Sequence, residues 1–574
     1  MRFVTTNIII LFLFNLSLNA QNREQIKIEY APFMNFEESK PGATILTRND
    51  SNQVHLIHKG VELWCNQAIY YEKDDFVEAF GDVKIREGDS LNMTSKYMEY
   101  SGKTQLAYAS GDVILIDANS KLNTETLYFD RIKQEAFYNE TGKVVRDSSG
   151  TITSNIGRYY VKNKKYQFND NVILINPEYT IESDRLDFYT PTGYAFLFGP
   201  TTIKNRSSII YCEKGFYNTN NDTGYFVKKS KIDYDERTIK GDSIYFDRNR
   251  NFASASNNIK ITDTINNTIV RGHYAEVFKE KDSVYITKKA LAIIIQNNDS
   301  LYVHSDTLMI TGPPDERIVQ GFYNSKIYKS DLSGKADSIH IDQKTGITQL
   351  INLYDLKSGD IFSKKKYPVL WHQKNQITGD SIHLFSNFES DSLDSLLVFN
   401  NAFIVNKDSL SNGFNQISGK ILHGYFIDNQ LKTIDIIKNA QTIYYLRDSE
   451  NELVGIDKSK SGLIKILMSE NSVNEIKKLN QIDGKTYPEI DYPENEKLLK
   501  GFSWRENERP KNIEELFIGD TPYNLPVIRG IKDYPAEKKF FDEELLERIN
   551  NSKKSNQSKS QKESRRIPSN IVNN

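Results

Sequence analysis

The stretch that decides the fold runs Gly81-Asp82-Val83-Lys84-Ile85, then Asp89-Ser90-Leu91-Asn92-Met93, then Tyr97 to Tyr100, and restarts at Gly111-Asp112-Val113-Ile114-Leu115. A unit of about thirty residues is too short to bury its own apolar face, so successive copies must stack and the fold grows along an axis. Within each copy apolar and polar residues alternate, as in Val83, Ile85, Leu91 and Met93, then Val113, Leu115 and Leu122. That period of two belongs to strands with one buried and one wet face. The Gly-Asp, Asn-Asp and Asp-Ser pairs between them carry the short side chains of tight turns. Degenerate copies follow at Gly241-Asp242-Ser243-Ile244-Tyr245-Phe246-Asp247, Ser305-Asp306-Thr307-Leu308, Ala336-Asp337-Ser338-Ile339-His340-Ile341-Asp342 and Gly379-Asp380-Ser381-Ile382-His383-Leu384. The expected fold is an all-β, elongated solenoid.

A chain of 574 residues would ordinarily split into several domains, because single cores stop growing at roughly 250 to 300 residues. A stack escapes that limit because its core grows in one dimension. With 38% hydrophobic residues, 33 tyrosines and 30 phenylalanines, there is material for a long, thin core and for strands. The 74 basic and 76 acidic residues nearly cancel, which argues against a nucleic-acid partner.

Residues 1–20 read as a secretory signal peptide, with Arg2 at its start, an apolar run from Ile8 to Leu18, and Leu18-Asn19-Ala20 before Gln21. The run is far shorter than the roughly twenty residues that span a bilayer, so export with cleavage is expected. Two cysteines remain, Cys65 and Cys212. Leu63, Cys65, Ala68 and Tyr70 align with Ile210, Cys212, Gly215 and Tyr217, placing both cysteines at one position of different copies. At one rung of about 4.8 Å per copy they lie roughly 20 to 25 Å apart, too far for a disulfide.

Along the chain, residues 21–42 read as an irregular lead-in, 43–190 as the clearest repeats, 191–345 as further copies and 346–469 as degenerate β repeats. The pattern loosens from Pro313 to Gly321 and from Asp355 to Pro368, marking either inserted loops or a break between two lobes. Residues 470–550 read as extended or helical, with short helices at Val473 to Leu479 and Glu537 to Ile549 and ordered anchors near Tyr492 and Trp504. Residues 551–574 are polar and basic and are expected to be disordered.

No catalytic or metal constellation emerges. The Asp-Ser pairs recur too often to be a catalytic pair, and His55 and His58, three apart on a strand, point to opposite faces. His340 and His383 take the slot that Tyr245 fills, an outward amphipathic one. The Asp391 to Asp394 run lacks the glycine repeat of calcium-binding β-rolls. Phosphate loops, zinc-protease motifs and nucleophile elbows are absent from the sequence, so neither enzyme activity nor a cofactor is expected. The repeated apolar face either fills a closed core or lines a groove for a ligand with a long apolar part, and periodicity leaves both open. A secreted β-helical protein that binds or cleaves polysaccharide is the alternative. It would need carboxylates clustered with basic or aromatic partners on one exposed strip, and none recur at consistent spacing.

The run Ala79-Phe80-Gly81-Asp82-Val83, Leu91-Asn92-Met93-Thr94-Ser95, Tyr97-Met98-Glu99-Tyr100 and Ala107-Tyr108-Ala109-Ser110-Gly111-Asp112-Val113, continuing to Leu122 through Asp130, resembles the repeat of the OstA family. That family includes the periplasmic lipopolysaccharide transport protein LptA and the periplasmic domain of LptD. The resemblance is strongest over residues 40–190 and weakens to about residue 345. It implies a β-jellyroll of stacked antiparallel strands whose two facing sheets shield acyl chains, head-to-tail stacking of modules, and a periplasmic scaffold for lipopolysaccharide transport to, and assembly of, the outer membrane. Implied partners are lipopolysaccharide or a related glycolipid and other Lpt-type proteins at the inner and outer membranes. The groove residues would be Val83, Ile85, Leu91, Met93, Val113, Leu115, Leu122, Val172, Leu174 and Leu186. The chain departs from the short single-module transporter in length, and from the outer-membrane partner in lacking a C-terminal series of membrane strands.

Overall fold

The structure, a computed structural model, describes residues 24–522 apart from 89–90, 118–119, 147–149, 297–298, 314–315, 353–366, 388–391 and 470–471. The expected signal peptide, the expected helix at Glu537 to Ile549 and residues 551–574 therefore lie outside the described residues. The strands form one continuous antiparallel ladder, in which chain neighbours such as Phe76–Glu87, Leu91–Ser101, Leu106–Asp117 and Ser120–Asp130 pair as successive hairpins. Each thirty-residue copy supplies two of these strands, not one rung.

The alternation predicted from the sequence holds within each half of a strand. In Leu91–Ser101 the buried residues are Leu91, Met93 and Ser95, then Met98 and Tyr100. The change of parity between Ser95 and Met98 marks a corner, where the ladder folds along its midline into two facing layers. On the facing strand the corner is a two-residue bulge: Phe80 pairs with Tyr97 and Val83 with Ser95, leaving Gly81-Asp82 opposite Lys96. Both bulge residues are left-handed, with φ of 69° and 45°. Glycine takes that conformation freely, and Asn and Asp at modest cost. The same double bulge returns at Gly111-Asp112, Asp170-Asn171, Lys228-Lys229, Asn257-Asn258, Lys288-Lys289, Tyr323-Asn324, Asn400-Asn401 and Lys438-Asn439.

This corrects the reading of Gly-Asp and Asp-Ser as hairpin turns. Gly81-Asp82 and Gly111-Asp112 bend strands at their midpoints. Asp242-Ser243, Ser305-Asp306 and Asp337-Ser338 also lie inside strands, at the corner. A short polar residue that tolerates a left-handed backbone suits either geometry. On the outside of the corner polar groups cross-link adjacent strands: Lys96 with Asp112, Glu213 with Lys228 and Lys229, and Asn258 with Asp242.

On the inside of the corner the layers converge and only small residues fit. Cys65, Ser95, Thr124, Ser154, Ser183, Cys212, Gly241, Gly272, Ser305 and Ala336 occupy that slot in order. In four of these slots a hydroxyl donates to the carbonyl two residues on, Ser95 to Tyr97, Thr124 to Thr126, Ser154 to Ile156 and Ser183 to Arg185, while Ser305 hydrogen-bonds His304 O and Ser325 Oγ. Both thiols are free and buried, and burial pushes each up to about 12. Their equivalence in the repeat is borne out, but with two strands per copy they stand about 50 Å apart along the ladder.

Three boundaries change. Lys27–Tyr30 and Phe33–Asn35, read as irregular, are short edge strands paired with Val54–His58 and Ala43–Thr47. Their mostly exposed side chains leave no alternation to detect. The Pro313 to Gly321 loosening is no break: Ile318–Lys329 continues the ladder, and Ile347–Ile351 pairs directly with Ser381–Asn387 across the second loosening. The Val473 to Leu479 segment is a strand, Ser472–Leu479, paired with Leu453–Ser469. Its helix-like spacing of Val473 and Ile476 arises from a register shift, since Met468 faces Val473 while Leu467 faces Glu475.

After Asp483–Tyr487 the chain turns back as an extended strap. It crosses one outer face of the ladder, from the strand Leu453–Ser469 to the strand Leu301–Thr311. Tyr492 and Leu499 bury themselves in a second apolar cluster with Phe403, Val405, Ile443, Tyr445 and Ile456. Two buried glutamines clamp the strap backbone. Gln416 donates to Lys497 O and accepts from Leu499 N, each at 2.8 Å, while Gln376 donates to Ser503 O and accepts from Arg505 N, each at 2.6 Å. Further along, Lys326 Nζ donates to Leu516 O and Ile518 O, and His304 Nε2 meets Asp520 Oδ1 at 2.8 Å. The anchors expected near Tyr492 and Trp504 are thus ordered contacts.

Candidate functional site

All ten predicted groove residues are buried and belong to one core between the layers. Nine lie in one layer and Leu186 in the other. In the first layer the ladder partners form an unbroken aliphatic row: Leu63, Ile85, Met93, Leu115, Leu122, Val144, Ile152, Leu174, Ile181 and Ile203, each opposite the next. It continues through Ile210, Ile232, Ile239 and Ile261. Val83, Val113 and Val172 stand beside the corner, opposite the small residues Ser95, Thr124 and Ser183. Leu186 pairs with Phe168 and Leu197 in the second layer.

Opposite the corner the hairpin ends of the two layers meet at a seam, which sequence reasoning missed. Polar latches close it. His58 Nδ1 lies 2.6 Å from Tyr100 OH, and Arg131 Nη1 donates to the same oxygen at 2.8 Å while its Nη2 reaches Glu87 at 3.3 Å. Ser120 Oγ and Tyr166 OH are 2.9 Å apart, and Tyr159 OH donates to Asp117. Arg237 and Arg317 share Asp263, each at 3.3 Å. Burial raises the Tyr100, Tyr159 and Tyr166 phenols above their ordinary range, reinforced at Tyr159 by the Asp117 hydrogen bond. Burial also lowers His58. These groups are therefore neutral latches near neutral pH. Their only sequence signal was a scatter of Tyr, Arg and Asp at strand ends.

His55 and His58 take opposite faces as expected. His55 stacks on Trp64 at 4.7 Å, while His58 is buried at the seam. His340 and His383 are half-buried, against Phe322 and Phe399. Among the described residues the one group with metal-ligand spacing is His304, Asp306 and Asp520, where His304 is already engaged by Asp520 and by Ala290 O. The Asp391 to Asp394 run falls partly outside the described residues.

The family described as OstA-like protein matches residues 24–184. Those residues are similar to that family. The periplasmic component LptH, the LptA homologue of the lipopolysaccharide transport device of Pseudomonas aeruginosa, is similar at 13% identity with a TM-score of 0.21, over 24% of this chain and 94% of that chain. No curated protein matches. The OstA-like match ends inside the strand Tyr179–Tyr189, yet corner and ladder continue beyond it. Ala402 still faces Gly419 and Ala440 faces Ser461 across double bulges. Among the described residues no helix is long and apolar enough to cross a membrane.

Proposed function

We propose that the protein is a non-enzymatic periplasmic scaffold that carries lipopolysaccharide or a related glycolipid toward the outer membrane, holding acyl chains between its two layers. The observation that carries this reading is an uninterrupted aliphatic row inside an OstA-like jellyroll whose closed side is fastened by polar latches. A latch hydrogen bond contributes about 0.5 to 1.5 kcal/mol net, or about 1.5 to 3 kcal/mol where a charged group takes part, whereas burying an acyl chain gains about 0.8 kcal/mol per methylene. A chain of about ten methylenes therefore outweighs several latches, so the seam can open for lipid and reclose behind it. Val83, Ile85, Met93, Val113 and Leu115 would then contact lipid when the layers part, with the other predicted groove residues extending the surface. The edge strands Lys27–Tyr30 and Phe33–Asn35 at one end, and Ser472–Leu479 and Asp483–Tyr487 at the other, offer unpaired backbone for Lpt-type partners or a second copy.

The test is mass spectrometry of lipid retained by protein purified from cell envelope. A lipid A-containing glycolipid at fixed stoichiometry is expected. A protein that carries no glycolipid, and takes up none from detergent-dispersed lipopolysaccharide, contradicts the reading.

A further inference from the structure

At one place the seam is not latched. Between the contact of Arg248 with Tyr179 and Tyr217 and the cluster of Tyr234, Arg237 and Asp263, the two layers stand apart around a cavity of about 400 Å³. Its floor is core from both layers, with Ile232 on one side and Phe246 and Val277 on the other. Its rim is built from hairpin ends and carries Arg206, Arg248 and Lys279 against the single carboxylate of Glu178.

The fold engages Arg248, beside the Asp222 carboxylate, and Lys279 only in part. Arg206 is exposed in the turn before Ser208–Asn218 and has no ion-pair partner among the described residues. Arg248 lies 4.8 Å over the Tyr179 ring and donates through Nη2 to Tyr217 OH at 3.3 Å, but its buried Nε has no acceptor. Lys279 is shared loosely between Asp235 at 3.3 Å and the Tyr234 ring. A buried guanidinium N–H without a partner is costly unless a ligand supplies the acceptor. The volume lies in the range of small-molecule sites, which pair an apolar body with a few convergent polar groups.

We infer that this cavity binds one single-chain anionic amphiphile, its acyl chain on the Ile232, Phe246 and Val277 floor and its phosphate or carboxylate head between Arg206, Arg248 and Lys279. The site deepens the carrier reading by naming one holding position, and it straddles the end of the OstA-like match, with Pro177 and Glu178 inside it and the rest of its lining beyond.

Titration calorimetry of the full chain with dodecyl phosphate below its micelle concentration tests it, beside dodecyl maltoside and inorganic phosphate. Dodecyl phosphate should bind at one site, at least tenfold more tightly than either control, because only it satisfies both floor and rim. Arg206→Gln, at an exposed turn position, and Arg248→Gln should each weaken it several-fold. Ala253→Trp, which fills the floor, should abolish it in a variant that keeps its circular dichroism spectrum. Equal binding of the maltoside overturns the anionic head, and equal binding of inorganic phosphate overturns the chain's role. Undiminished binding by both arginine variants overturns the location. Lipid labelling from a photo-probe at Met93 that persists in the arginine variants shows the carrier reading standing whatever the result here.

Discussion

The OstA-like region and the region under the strap share one ladder but not one burial pattern. In the first, the outer face of the layer that carries Met93 is wet, with Glu62, Lys84, Arg86 and Asn92 pointing outward, and on the other layer the outward aromatics Tyr128 and Phe137 cover only one another as a stacked row. In the second, Val369–His372 is buried at all four positions, as is Ala402 through Val405. Residues of both parities are covered because core packs on one face and the strap on the other. A continuous apolar run such as Val369-Leu370-Trp371 or Phe403-Ile404-Val405 is the mark of a strand covered twice. The difference teaches that a repeat fold can add a second, local core without changing its corners.

The strongest way to break that comparison is to unseat the strap. Leu499→Ala and Tyr492→Ala each remove a buried side chain from the second cluster and should cost about 2 to 5 kcal/mol. The loss should be confined to the region beneath. Hydrogen exchange should rise in the strands Ser392–Lys407 and Phe414–Ile427 and stay unchanged in Leu91–Ser101. A uniform rise along the ladder would contradict two separable cores.

The corner, common to both regions, gives a second test. A Cβ at Gly272 would stand 2.8 Å from Ile286 Cγ1 and 3.0 Å from Thr287 O, so Gly272→Val should destabilise by about 1 to 3 kcal/mol. Unfolding in urea at the wild-type midpoint would refute the packed corner.

Acid should separate the regions further. His372 is buried with both ring nitrogens unpartnered, its ring edge-on to Phe426. Burial holds it below the usual histidine range, Arg509 adds to that, and Asp331 opposes it. Because its folded value is depressed, the unfolded chain binds the proton more readily. Stability is full above about pH 6.5, the unfolded value, and declines as pH falls below it. His58 titrates with the same sign but keeps Tyr100 and Glu24 O as partners. On acidification the strap region should therefore loosen first, and His372→Phe should flatten the urea midpoint against pH. An unchanged slope would remove His372 as the cause. Smallest of all, Cys212→Ser should shift stability by less than about 1 kcal/mol, since Ser183 and Ser154 show that the slot takes a hydroxyl.

Much of this was legible in the sequence. Alternation located the buried face of each half-strand, and the offset of Cys65 and Cys212 located a slot before its geometry was known. The corner was misread because Gly-Asp serves a hairpin and a double left-handed bulge equally well. The seam was missed because its latches join residues 26 to 54 apart in the chain, such as Tyr159 with Asp117 or Ser120 with Tyr166, so local pattern holds no trace of it. The strap's course was hidden for the same reason, since Gln416 and Gln376 meet it across long stretches of chain.

The central claim is that the space between the layers receives acyl chains. Photo-crosslinking from a probe at Met93, which faces the core, against one at Lys84, which faces solvent, tests it most directly in cells. The account predicts lipopolysaccharide adducts at Met93 and none at Lys84. Adducts at neither position, or equally at both, in folded variants would contradict it.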